Sequence, residues 1–149
     1  MGANVSNGSR TTYYYIVDGR LKTLASKDDP NAINRVGVVG DTHYSKWEKN
    51  IDSLTGNITN VFIKDLEFGR VLNIIIEDGI EHMTLQIGVE SQYASSFLSK
   101  AMNIDFTKKV DLRSYAIEKD NGKTNNGISI KQGGDKISSY YYNEITKEP

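Results

Sequence analysis

Cysteine is absent from the 149 residues, which excludes disulfides, thiolate nucleophiles and cysteine-based zinc sites together. Histidine is nearly absent. His43 and His82 are the only two and lie far apart in sequence, so a His-rich metal site is excluded and a His-dependent triad has few centres. Long apolar runs are missing as well: the longest, Leu72 to Ile76, is interrupted by Asn73 and falls far short of the roughly 18 residues of a membrane span. Residues 1–9 are polar and rich in Gly, Asn and Ser, without an apolar h-region. They read as carrying no secretory signal, and the expected location is the cytoplasm. The sequons at Asn4, Asn7 and Asn57 then read as chance in an Asn-rich chain. No charge of one sign dominates either. The net charge of -1 does not mark a bulk-electrostatic nucleic-acid binder.

The composition, 38% hydrophobic and 25% charged, suits one globular domain with a modest core rather than a disordered chain or a coiled coil. Charge is unevenly spread. Residues 1–50 carry seven basic against five acidic side chains, residues 51–105 three against eight, and residues 106–149 eight against six. An acidic middle and a lysine-containing last third point to unlike faces on one domain. The sequence contains no G-x-x-x-x-G-K-[ST], no G-x-G-x-x-G, no G-x-S-x-G and no H-E-x-x-H. Asp65 with Glu67, and Glu77 with Asp78 and Glu81, are carboxylate groups of the kind a metal-dependent hydrolase uses, but each sits at a hairpin turn, where such residues serve solubility and turn chemistry. Asp41-Thr42-His43 falls short of a metal site. No catalytic residue, metal or cofactor is expected.

Periodicity organises the chain. Thr11–Val17 and Arg20–Leu24 flank Asp18-Gly19, a strong hairpin signal because a type I′ turn needs positive φ at both central residues. Residues 26–43 read as an irregular connection with one short strand at 35–39, and residues 44–50 fit either a helical turn or a strand. From residue 54 the pattern predicts strands at 56–65, 70–77 and 81–89, the last with Met83, Leu85, Ile87 and Val89 alternating against His82, Thr84 and Gln86. Phe62 is assigned to the core. Ser91 is an expected N-cap for a helix to Met102, with Ala94, Phe97, Leu98 and Ala101 on one face. Strands follow at 109–118, 128–132 and 136–142, with a polar loop at 119–127.

Three meandering strands, a helix and a closing hairpin are the order of the five-stranded Greek-key barrel, the OB-fold. The expected class is all-β with one helix: an OB-fold core over 54–143, a flexible 1–10, an added N-terminal hairpin and connecting segment over 11–53, and a tail over 144–149. An SH3-like barrel would lack the helix, whereas a two-layer α+β sandwich shares the order. Through Gly56-Asn57-Ile58-Thr59, Phe68-Gly69-Arg70, the junction Val89-Glu90-Ser91-Gln92-Tyr93-Ala94 and the segment 127–141, residues 54–142 resemble small bacteriophage single-stranded DNA-binding proteins with an OB-fold. The resemblance implies non-catalytic coating of single-stranded DNA in replication, recombination or repair, in the host cytoplasm, with replication or recombination proteins and a homo-oligomer among the expected partners. Many members end in an acidic tail; this sequence ends Asn143-Glu144-Ile145-Thr146-Lys147-Glu148-Pro149.

Binding of single strands needs aromatic faces for bases and cations for phosphates. Arg113 and Tyr115 alternate away from Val110 and Leu112, Lys119 and Lys123 lie in the following loop, and Lys131 and Lys109 extend the basic surface. Phe62, Phe68 and Arg70 around the first turn form a second candidate patch, with core packing the favoured reading for Phe62, and Trp47 lies near Lys46 and Lys49. For Tyr115 and Trp47 the competing reading is packing. The tyrosine triplets 13–15 and 140–142 must each turn one ring to the opposite face of a strand. The alternative function is an oligomer-forming OB-like structural module without nucleic-acid affinity.

Overall fold

The computed structural model describes residues 11–67 and 69–138. Ten strands and one helix follow in order: β1 Thr11–Val17, β2 Arg20–Leu24, β3 Ile33–Val39, β4 Thr42–Ile51, β5 Leu54–Leu66, β6 Gly69–Asp78, β7 Glu81–Gly88, α1 Gln92–Ala101, β8 Val110–Glu118, β9 Thr124–Gln132 and β10 Asp135–Lys136. The chain is all-β with one helix. Instead of a five-stranded barrel, all ten strands belong to one open sheet in the order β10-β9-β8-β5-β6-β7-β1-β2-β4-β3. Within it, β5, β6 and β7 form a meander and β8 returns across the helix to lie beside β5, which is a Greek key. The place beside β7 is taken by β1, paired parallel with it from Thr11↔His82 to Tyr14↔Leu85. Segment 11–53 thus joins the sheet through backbone pairing.

One face of the curled sheet is apolar. Leu21, Leu54, Ile58, Leu72, Ile74, Ile76, Leu85, Val110, Leu112, Ile128 and Ile130 meet there with Phe97 of the helix, all nearly or fully buried. At roughly 1.5–3 kcal/mol per large side chain buried, this cluster is the main favourable term in folding. The Asp18-Gly19 hairpin has the expected positive φ at both positions, 51° and 83°. Its turn also closes the curl: Ser114 Oγ donates to the Gly19 carbonyl at 2.7 Å, and a Cβ on Gly19 would lie 2.5 Å from that of Ala116.

Phe62 is not in the core. It is 39% exposed on the other face, opposite Asn73. The reason is a β-bulge between Ile58 and Asn60, whose extra residue reverses the alternation, so that Ile58 and Val61 face inward and Phe62 outward. The undecided segment 44–50 is strand, within β4, and the polar loop 119–127 contracts to a turn at 119–123 because β9 starts at Thr124. The last strand is the two-residue β10, with positions 139–142 outside the described residues.

The helix is capped as its sequence requires, with Ser91 Oγ accepting from the Ala94 N–H at 3.2 Å and Lys100 in the last turn. It runs along the free edge of β9 and satisfies it with side chains one turn apart. Gln92 Oε1 accepts from Asn126 N–H at 3.0 Å, Ser96 Oγ accepts from Ile128 N–H at 3.0 Å and donates to the Ile128 carbonyl at 3.2 Å, and Lys100 Nζ donates to the same carbonyl. Burial and the neighbouring Lys136 charge lower the Lys100 pKa. Ser96→Ala leaves the Ile128 N–H without its side-chain acceptor and the Ile128 carbonyl with Lys100 alone in this part-buried seam. Urea unfolding is expected to show a loss of about 1–3 kcal/mol, whereas the exposed Ser95→Ala is expected to cost less than about 0.5 kcal/mol.

Candidate nucleic-acid interface

The face opposite the core is built from the alternate residues of β5, β6, β7 and β1. Register places Asn60, Ile75, Thr84 and Tyr13 in one row across the four strands, and Phe62, Asn73 and Gln86 in the next. Tyr15 shares the face of Tyr13, while Tyr14 turns toward the core, where burial followed by the Glu81 charge raises its pKa. Tyr13 is 55% exposed. Tyr13 and Phe62 therefore stand on one surface, three strand spacings across and one row along, roughly 16 Å apart. Between them the floor is polar but satisfied: Gln86 Nε2 donates to Asn73 Oδ1 at 3.0 Å, and Asn73 Nδ2 donates to the Val71 carbonyl at 3.3 Å.

This floor deepens into a groove of about 710 Å³ lined by Tyr15, Lys46, Arg70, Val71, Gln86 and Ser91 among others. One wall is β4, whose hairpin with β3 continues past the end of β2, placing Lys46 at the rim. The wall is anchored by Glu48, which is 1% exposed. Arg35 holds it bidentately, Nε to Oε1 at 2.7 Å and Nη2 to Oε2 at 3.0 Å, and the Tyr15 hydroxyl donates to Oε2. The Arg35 guanidinium also lies 5.6 Å from the centre of the Tyr44 ring, whose hydroxyl accepts from Nη1 at 3.0 Å. Hydrogen bonding from Arg35 lowers the Glu48 pKa against the opposing effect of burial, with Tyr15 adding to the lowering. Burial, then the bond to Glu48, pushes the Tyr15 phenol up.

The expected site residues do not form one surface. Arg113, Tyr115 and Lys131 do share a face of β8 and β9. Arg113 leans on Asp111 at 3.4 Å, and the Tyr115 ring lies across Gly127, where a Cβ would run into its hydroxyl. That packing is the competing role weighed for Tyr115. Lys119 and Lys123 are exposed in the β8–β9 turn, tied together by the Lys119 N–H to Lys123 carbonyl bond of 2.8 Å. Lys109 pairs with Asp78 of the β6–β7 end at 2.8 Å. Arg70, paired with Asp65 at 3.1 Å, borders the groove instead. Trp47 is 38% exposed on the face of β4 turned away from Glu48. Phe68 lies outside the described residues.

Alternation within the Tyr13–Tyr15 triplet was the signal for two rings on one face, and Lys46 was marked only as a neighbour of Trp47; Lys64 and Gln86 had no comparable signal. Of the carboxylates singled out in the sequence, Asp65, Glu77 and Asp78 engage neighbours, Glu77 with His82 Nδ1 at 2.8 Å. Among the described residues no three His, Cys, Asp or Glu side chains gather as metal ligands. The described helix is not long and apolar enough to cross a membrane. No protein-family model, curated protein or solved structure matches this chain.

Because the folded-state pKa of Glu48 lies below its ordinary value near 4.5, its contribution to stability is complete above that value and is lost as pH falls through the lowered one. Arg35→Ala leaves the carboxylate buried without its main partner and is expected to cost on the order of 3 kcal/mol at pH 7. Urea unfolding at pH 7 and pH 3 checks this, with the gap between wild type and Arg35→Ala narrowing at the lower pH.

Proposed function

We propose that this chain binds single-stranded DNA without catalysis and with little sequence preference, through the outer face of β5, β6, β7 and β1. The observation that carries the reading is the pair of exposed rings, Tyr13 and Phe62, on one sheet surface bordered by Lys64, Arg70 and Lys46. Rings at that spacing offer stacking platforms to bases, and the lysines and arginine reach phosphates on either side. An OB-type reading of residues 54–132 is supported by the Greek key of β5 to β8, with β9 beside β8. In that reading the second and third strands are β6 and β7, and OB-folds bind oligonucleotides on the face of those strands. The parallel strand β1 then widens the binding face by one tyrosine-bearing strand. Coating of single strands places the protein in replication, recombination or repair, as the resemblance to bacteriophage single-stranded DNA-binding proteins implies.

Fluorescence anisotropy of labelled oligo-dT, with a duplex of equal length beside it, tests the proposal. The expected result is binding to the single strand alone, weakening with salt at a log–log slope of about -2 for three phosphate contacts. Tyr13→Ala and Phe62→Ala are each expected to lose about 1–3 kcal/mol of binding, roughly 5- to 150-fold. Arg113→Ala, on the β8–β9 face and beside Asp111, is expected to change affinity less than about twofold. Absence of binding at low salt overturns the proposal and leaves the assembly-module reading.

A further inference from the structure

The two ends of the sheet are treated differently. At one end, the free edge of β9 is occupied by side chains of the helix, by β10 and by the Ile137 N–H bond to the Ile130 carbonyl. At the other end, β3 is the terminal strand, paired with β4 along all seven residues on one side and, among the described residues, with no strand on its other side. Natural edge strands are usually short, charged, bulged or covered, because a row of unpaired backbone groups invites another strand. This one is long and apolar. Ile33, Val36 and Val38 are 53%, 71% and 57% exposed, and its single charge, Arg35, is bound to Glu48.

We infer that β3 is a homodimer edge, pairing antiparallel with β3 of a second copy about a twofold axis at Val36. The strand is complementary to itself in that register. Val36 meets Val36 of the partner subunit, a β-branched pair suited to direct opposition. Asn34 meets the partner's Val38, and Arg35 meets the partner's Gly37, so the like charges are not opposed. Val36 and Val38 share the face of Trp47, and the twofold axis brings both copies of this apolar patch together on one side of a continuous sheet. A foreign strand would have to supply this apolar pattern, whereas a second copy carries it already.

Sedimentation equilibrium of the full chain is expected to show reversible, concentration-dependent doubling of the 16.7 kDa mass. Val36→Lys places two ammonium groups at the axis and is expected to give monomer at every concentration, with an unchanged circular dichroism spectrum. A cysteine-free chain allows a second readout that does not depend on a disruptive variant. Antiparallel partners have Cα atoms about 4.5–5.5 Å apart, within disulfide reach. Val36→Cys treated with diamide is therefore expected to cross-link to a covalent dimer at least tenfold faster than Ile80→Cys, which is 81% exposed at the β6–β7 turn. A chain that stays monomeric at all concentrations, a dimer that survives Val36→Lys, or equal cross-linking of the two variants overturns the inference. In the monomeric case, the edge is left for a strand of another protein.

Discussion

A sheet of ten strands has two edges, and the backbone groups along each need hydrogen-bond partners. Much of the architecture follows from how the β9 edge is handled. A closed barrel would pair β9 with a strand; here the helix lies along it and offers Gln92, Ser96 and Lys100, one turn apart, to Asn126 and Ile128. With β9 occupied in this way, the edge of β7 is available to β1, and the parallel pairing brings the N-terminal hairpin into the sheet. The Asp18-Gly19 turn then reaches β8, and the curl is closed by a turn contact in place of a ladder.

That arrangement also creates the candidate site. Once β1 lies beside β7, Tyr13 and Tyr15 continue the outer surface of β5, β6 and β7, and β4 rises at its border to form one wall of the groove. The buried Glu48 holds that wall, since Arg35 on β3 and Tyr15 on β1 converge on a carboxylate carried by β4. An ion pair of this kind contributes through geometry more than through net stability, because the desolvation of the carboxylate offsets much of its attraction to Arg35. Its removal is costly all the same, since the remaining partner stays buried.

Local patterns carried the strands and the helix well. The Asp18-Gly19 hairpin, the alternation of Met83, Leu85 and Ile87, and the Ser91 cap are interactions among residues close in sequence, and they occur where their chemistry places them. Phe62 shows where such reasoning stops. Counting from Ile58 puts it in the core, but a single bulged residue reverses the parity, and nothing in the surrounding residues marks the bulge. Gln92, Ser96 and Lys100, four residues apart, fall on one helix face by spacing alone. Its partners on β9 lie about thirty residues away, so its role as an edge cap is not legible locally. The site shared this fate: Arg113, Tyr115 and Lys131 were brought together as alternation implies, while Tyr13 and Phe62 met only through pairings between distant strands.

The sequence by itself determined the class of the fold, most strand positions, the tight turns, the capped helix and the absence of cysteine chemistry. These depend on backbone preferences and short-range periodicity, which act over a few residues. The tertiary structure alone decided that ten strands share one sheet, that β1 runs parallel beside β7, that Glu48 is buried under Arg35 and Tyr15, and which aromatic rings face outward. Each of these depends on which distant strand pairs with which, and a strand's side-chain pattern constrains its faces far more tightly than it constrains its neighbours.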